Sequence, residues 1–169
     1  METYKAIMTR RSIRQYAPDK IPVNKIKKIL KAAMNAPSAG NQQPWHFIVV
    51  NERKILDELA NIHPHGKMLF NAPCAVIVCG DISLEKHKGY WVQDCSAATQ
   101  NFLLAAHNLG IGAVWLGVYP REDRITKISN LFNLSSHIIP FCIISMGYPK
   151  EKIKQVIRYD PLRVHFNKW

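Results

Sequence analysis

At 169 residues, 47% hydrophobic and 21% charged, the chain is long enough for one domain with its own core and too ordinary in composition for a disordered, fibrous or coiled-coil protein. Its most apolar run, residues 74–79, is far shorter than the about 20 residues that cross a bilayer, and its first residues show no basic region leading into an apolar run, so a cytoplasmic protein with no membrane partner is expected. The net charge of +11 raises nucleic acid as a partner, but the lysines fall on helix faces, as at Lys25, Lys27, Lys28 and Lys31, and no arginine–aromatic alternation builds a stacking platform, so none is expected.

Residues 2–9 read as a short helix that ends at the polar cluster Arg10-Arg11-Ser12-Ile13-Arg14. Pro18 and Pro22 mark an extended connection. From Val23, the apolar residues Ile26, Ile29, Leu30, Ala33 and Met34 recur at helical spacing with lysines opposite. Pro37 ends that helix, because the residue before a proline avoids helical geometry. A loop rich in turn formers, residues 37–45, leads to a strand at 46–50 and an amphipathic helix at 52–61. Residues 74–79 predict a buried strand. The longest helical pattern covers 90–109 and turns apolar nearly all round in its second half, as a central helix should. Gly110 is placed as its C′ residue. A strand at 112–117, a helix around Ile125 to Phe132 and a strand at 141–146 follow. The resulting expectation is one α+β domain with four or five strands and four or five helices, trailed by a basic tail at 150–169 that ends on aromatic residues.

Three segments offer chemistry. The guanidiniums of Arg10, Arg11 and Arg14, with the hydroxyl of Ser12, can bind a phosphate, bidentately where an arginine faces it; a solvated basic turn would look the same. Ser38, Asn41, Gln42 and Gln43 donate and accept hydrogen bonds without charge, and Ala39 and Gly40 let a ligand approach the backbone, which suits a polyol or a heteroaromatic edge. At the strand end Trp115-Leu116-Gly117, backbone N–H groups can meet a ring, with Gly117 allowing close approach. The pair His63 and His65 lacks acidic or cysteine partners at ligand spacing, so no metal is expected. The four cysteines, Cys74, Cys79, Cys95 and Cys142, form no CxxC pair and read as buried free thiols. Asp94, Cys95 and His107 lie on the central helix without a partner for nucleophilic catalysis, and no catalytic side chain is assigned.

Taken together and in order, these segments resemble the nitroreductase family of flavoproteins. The resemblance is carried by Arg10, Arg11, Ser12 and Arg14 in an Arg-Arg-Ser-x-Arg stretch, and by Pro37, Ser38, Asn41, Gln43, Pro44 and Trp45 in a Pro-Ser-x-x-Asn-x-Gln-Pro-Trp loop. It extends through the alanine- and leucine-rich helix of residues 101–110 to Gly117, and through Gly147-Tyr148-Pro149. It covers nearly the whole chain.

The resemblance implies a central mixed or antiparallel sheet flanked by helices in an intertwined homodimer, with non-covalent FMN at the subunit interface and NADH or NADPH as electron donor. By position, Arg10, Ser12 and Arg14 would hold the phosphate and ribityl chain, with Arg11 nearby. Pro37, Ser38, Ala39, Asn41 and Gln43 would line the flavin from the other subunit. Trp115, Leu116 and Gly117 would meet the isoalloxazine edge. A tail arginine, Arg158 or alternatively Arg163, would reach the phosphate, and residues 150–169 would wrap the partner subunit. The implied activity is electron transfer from NAD(P)H to a small electron-poor acceptor such as a nitroaromatic or quinone, in ping-pong order. The alternatives are a reductive dehalogenase or flavin-consuming enzyme on the same scaffold, or a flavin-storage protein without turnover. The chain is short between residues 81 and 90, where larger members carry additional helices over the flavin.

Overall fold

The alternation of inward-facing residues along two strands organises the molecule. In the computed structural model, which describes residues 2–169, β2 (Cys74–Asp81) and β4 (Ile138–Gly147) pair at the centre of a four-stranded sheet of order β1-β2-β4-β3. β1 is Trp45–Val50 and β3 is Gly112–Gly117. All three pairings are antiparallel. An antiparallel sheet with one wet face would show alternating hydrophobicity, but β2 is buried along its whole length because both faces are covered. Val76, Val78, Ile144 and Met146 point into one core, beneath α2 (Val23–Ala33) and α4 (Trp91–Asn108). Ala75, Ile77, Cys79 and Ile143 point into the other, beneath α3 (Arg53–Ile62) and α5 (Glu122–Phe132). The short α1 (Thr3–Thr9) packs on α4.

The central helix is α4, with Cys95, Ala98, Thr99, Phe102 and Ala106 inaccessible to solvent. Its end follows the expected chemistry. Gly110 has φ +75°, and the N–H groups of Gly110 and Ile111 donate to His107 and Ala106 at 3.0 and 2.8 Å, which closes the helix as a Schellman motif. Leu104 and Ala105 stay half-exposed on the side away from the sheet, so the apolar second half is not wholly covered by this chain.

β4 is longer than its apolar run suggests. It begins at Ile138 and passes through Pro140, where the register against β2 shifts between Val78 and Cys79. Proline has no N–H to give the ladder, and the extra residue is accommodated as a bulge at Phe141. The Phe141 carbonyl then accepts from both Val118 and Tyr119, at 3.1 and 3.0 Å, just past the end of β3.

All four cysteines are buried and unpaired. Burial pushes the thiols of Cys74 and Cys79 up to about 12 and raises Cys95 and Cys142 as well, so they pack as apolar groups. Beyond residue 150 the chain is extended, apart from a turn at Pro161–Arg163, and the side chains of Ile157, Phe166 and Trp169 are almost wholly exposed. Among the described helices none is long and apolar enough to cross a membrane.

Candidate functional site

The edge of β3 gathers the basic cluster. Past the end of α1 the chain runs alongside β3, with Ser12 bridging to Ala113 in parallel and the Ile13 N–H donating to the Ala113 carbonyl at 3.0 Å. This covers only the start of that edge. Arg10 lies between Arg11 and Arg158: partial burial, then the charge of Arg158, then that of Arg11, lower its proton affinity below the ordinary guanidinium range. Among the described residues the guanidiniums of Arg10, Arg14 and Arg158 have no hydrogen-bond partner in the chain. Arg11 differs. It donates to the carbonyls of Met8 and Arg10 at the end of α1 and to Lys154 and Val156 of the tail, so it ties the tail to α1. Glu151 completes the seam by accepting from the N–H groups of Arg14 and Gln15 at 2.6 and 3.1 Å. Of the two tail arginines, Arg158 stands beside Arg10, whereas Arg163 turns back to Asp160 at 3.2 Å.

His107, on the last turn of α4, faces the same cluster. Thr9 Oγ1 donates to the Lys5 carbonyl, so its 2.8 Å contact with His107 Nε2 is one in which the ring donates. Burial, then Arg10 and Arg11, lowers the proton affinity of His107, and it stands there as a neutral imidazole.

The 37–45 loop is held from behind. Asp94 on α4 accepts from the Ala39 N–H at 2.9 Å and from Gln42 Nε2 at 2.6 Å. Gln42 Oε1 in turn accepts from the N–H groups of Lys86 and His87. Both side chains are buried. Ser38 Oγ accepts from the Gln43 N–H at 3.1 Å. Gly40, Asn41 and Gln43 all adopt positive φ, between 47° and 53°, a run that non-glycine residues enter only when the surroundings impose it. The amide cluster therefore splits: Gln42 is a buried anchor, while Pro37, Asn41 and Gln43 face outward. The role of Asp94 is invisible in the sequence because its partners lie about 50 residues away.

Peptide groups alternate along a strand. With the Ala113 carbonyl turned to the outer edge, Trp115 and Gly117 turn the same way and Leu116 turns inward to β4. The Leu116 side chain is buried in the core, and Trp115 packs edge-on against Phe141 at 5.4 Å. Gly117 is exposed, and a Cβ there would meet nothing within 4 Å. Neither φ nor packing inside the chain calls for glycine at this position, which leaves the approach of something from outside. The Gly117 carbonyl accepts from His63 Nε2 at 2.9 Å and from Arg124 at 2.8 Å. His63 Nδ1 accepts from the His65 N–H at 3.2 Å, so both ring nitrogens are engaged in structure. Burial is the main cause that keeps this ring neutral, with Arg124 and His65 adding to it against the Gly117 bond.

These segments do not converge within one copy. Asp94, which anchors the loop, and His107, beside the arginines, are separated by about 20 Å of α4 at 1.5 Å per residue. The loop also enters β1, the opposite sheet edge from β3, about 14 Å away at 4.8 Å per strand. By contrast, Ala113 to Gly117 is a continuous edge of about 13 Å, with free guanidiniums at one end and an open glycine at the other.

Residues 7–148 match the model of the nitroreductase family. The chain belongs to this family. Among its relatives in the nitroreductase family is a Methanothermobacter thermautotrophicus protein provisionally named NADH dehydrogenase/NAD(P)H nitroreductase, 54% identical over 100% of this chain and 88% of that one. The fold is similar to that of an FMN-dependent nitroreductase from Clostridium difficile R20291, with a TM-score of 0.91 and 33% identity over 98% of this chain and 99% of that one. A Caenorhabditis elegans protein named iodotyrosine dehalogenase 1 homolog is 31% identical over 89% of this chain and 55% of its own. The α+β architecture expected for a nitroreductase-family chain is the one observed, with the sheet purely antiparallel.

Proposed function

We propose that this nitroreductase-family chain is an FMN-dependent oxidoreductase that carries electrons from NADH or NADPH to small electron-poor acceptors such as nitroaromatics or quinones. The observation that carries the reading is the β3 edge, where unpartnered Arg10 and Arg158 stand at one end and the open Gly117 at the other. The residues fit the cofactor. The crowding of Arg10, whose proton affinity is lowered by burial and by the charges of Arg158 and Arg11, is relieved by a phosphate dianion. A polyol chain runs along a sheet edge with free peptide groups, and a flat ring approaches a glycine that nothing in the chain fills.

Bound FMN supplies the hydride and electron chemistry. The chain's own residues bind and orient. Arg10, Arg14, Arg158 and the Ser12 hydroxyl hold the phosphate and ribityl end. The outward N–H groups of Trp115 and Gly117 meet the ring edge, where fixed donors favour the added electron density. Pro37, Ser38, Ala39, Asn41 and Gln43 close the site from a second copy, since their own copy's arginines are too distant. Leu104, Ala105 and the apolar tail residues support such a homodimer, with 150–169 reaching across to the partner subunit. Donor and acceptor occupy the same face in turn, which gives ping-pong kinetics. The cytoplasm suits free NAD(P)H and the four reduced thiols.

The test is the absorbance spectrum of the purified protein: yellow, and bleached by NADH or NADPH. A colourless protein that takes up no added FMN contradicts the reading. The dehalogenase relative favours a second reading, reductive dehalogenation on the same site. A panel of nitroaromatics, quinones and halophenols separates the two, and steady NAD(P)H oxidation with any of them excludes a storage protein.

A further inference from the structure

Arg124 is the charged group that this assignment leaves unused. It sits half-buried on the first turn of α5, with Nε buried and without a hydrogen-bond partner, and among the described residues no carboxylate pairs with it. Desolvating a guanidinium without a counter-charge is costly, and the chain offers nothing in return except the Gly117 carbonyl. Nη1 donates to that carbonyl at 2.8 Å and lies 3.3 Å from His63 Nε2, which donates to the same oxygen at 2.9 Å. The far side of this peptide is also held, since the Val118 N–H donates to the bulge carbonyl of Phe141 at 3.1 Å. One peptide plane is thus fixed by α5, by the turn after α3 and by β4. It is the plane adjoining the glycine whose other side is open.

We propose that Arg124, backed by His63, is a positioning residue of the flavin site: it locks the 117–118 peptide so that the Gly117 N–H keeps its aim, and it sets a fixed positive charge behind the edge that the reduced ring would load with electrons. The inference rests on the FMN reading. A reduced flavin carries more negative charge than the oxidised form, so a cation held there binds the reduced form more tightly. The uncompensated state of Arg124 is what such a role requires, because an acidic partner in the chain would cancel its field.

The experiment uses full-length protein loaded with FMN, as wild type, Arg124→Met, Arg124→Lys and His63→Gln. Three quantities are read: the affinity for oxidised FMN, the midpoint potential of the bound flavin, and the hydrogen-exchange rate of the Val118 amide without flavin. Arg124→Met is expected to lower the preference for reduced over oxidised flavin about tenfold, or about 30 mV for a two-electron couple, and to speed exchange of the Val118 amide about tenfold. Arg124→Lys is expected to keep most of the potential yet lose amide protection, because an ammonium supplies charge without the planar fork. His63→Gln should speed the Val118 amide with a smaller change in potential. Should Arg124→Met fail to fold, the Lys and Gln variants read the same two effects separately. Wild-type potential and wild-type exchange in the folded variants overturn the inference while leaving the flavin reading intact. A wild type that takes up no FMN overturns both.

Discussion

At the scale of single residues, the arginines differ more than their spacing shows. Arg11 is committed to the carbonyls of α1 and the tail, while Arg158 stands free beside Arg10. Arg158→Ala should weaken FMN binding about ten- to hundred-fold, the equivalent of the roughly 1.5–3 kcal/mol that a hydrogen bond to a charged group contributes. Arg163→Ala, which removes only an exposed partner of Asp160, should change it by less than about threefold; fluorescence titration of the apoprotein separates the two. The histidines give a pH dependence. His63 and His107 both have proton affinities lowered from the usual 6.5 by burial first, so the unfolded chain binds these protons more readily. Their contribution to stability is full above pH 6.5 and declines as the pH falls below it. His63 is faced by Arg124 and the Gly117 carbonyl and by His65 of its own turn. His107 is faced by Thr9, Arg10 and Arg11. Thermal unfolding at pH 5.0 should begin below that at pH 7.5, by about 2–4 °C for each kcal/mol lost, and the gap should narrow in His63→Gln and in His107→Gln.

At the scale of elements, β3 is where conformation and chemistry meet. Gly117→Val introduces a side chain that finds open space in the chain. Apoprotein stability should therefore stay within about 1 kcal/mol, while FMN uptake falls at least about tenfold. Equal losses of both would move Gly117 into the ordinary packing of the fold. Most elements were legible because periodicity reports burial. α2 and α3 show a clear apolar stripe, β2 a continuous run, and Gly110 a helix stop that the structure bears out. Less was legible where long-range pairing overrides local pattern. The β4 start at Ile138 hides behind Pro140, which reads as a strand breaker until the bulge opposite Cys79 is seen. Asp94 looked like an idle acid and Gln42 like one more loop amide, because their pairing spans 52 residues of chain. Nothing in the sequence neighbourhoods of His63 and Arg124 indicates that both grip the Gly117 carbonyl.

At the scale of the whole molecule, the outer side of α4 is half-exposed at Leu104 and Ala105, and the tail that ends on Phe166 and Trp169 is open to solvent. Both fit a second copy of the chain, as does the division of the site. α4 acts as a spacer, with the loop anchored at Asp94 and the arginines gathered by His107, about 20 Å apart by helix rise. In the proposed homodimer each protomer would carry one half of two different pockets, and damage to the halves would be complementary. Arg10→Ala combined with Arg158→Ala should abolish flavin uptake, and so should Asn41→Trp. If the two inactive proteins exchange subunits at random, half of the dimers are mixed, and each mixed dimer rebuilds one sound pocket while its twin inherits both defects. About one site in four should then bind FMN, visible as a yellow colour returning when two colourless solutions are mixed.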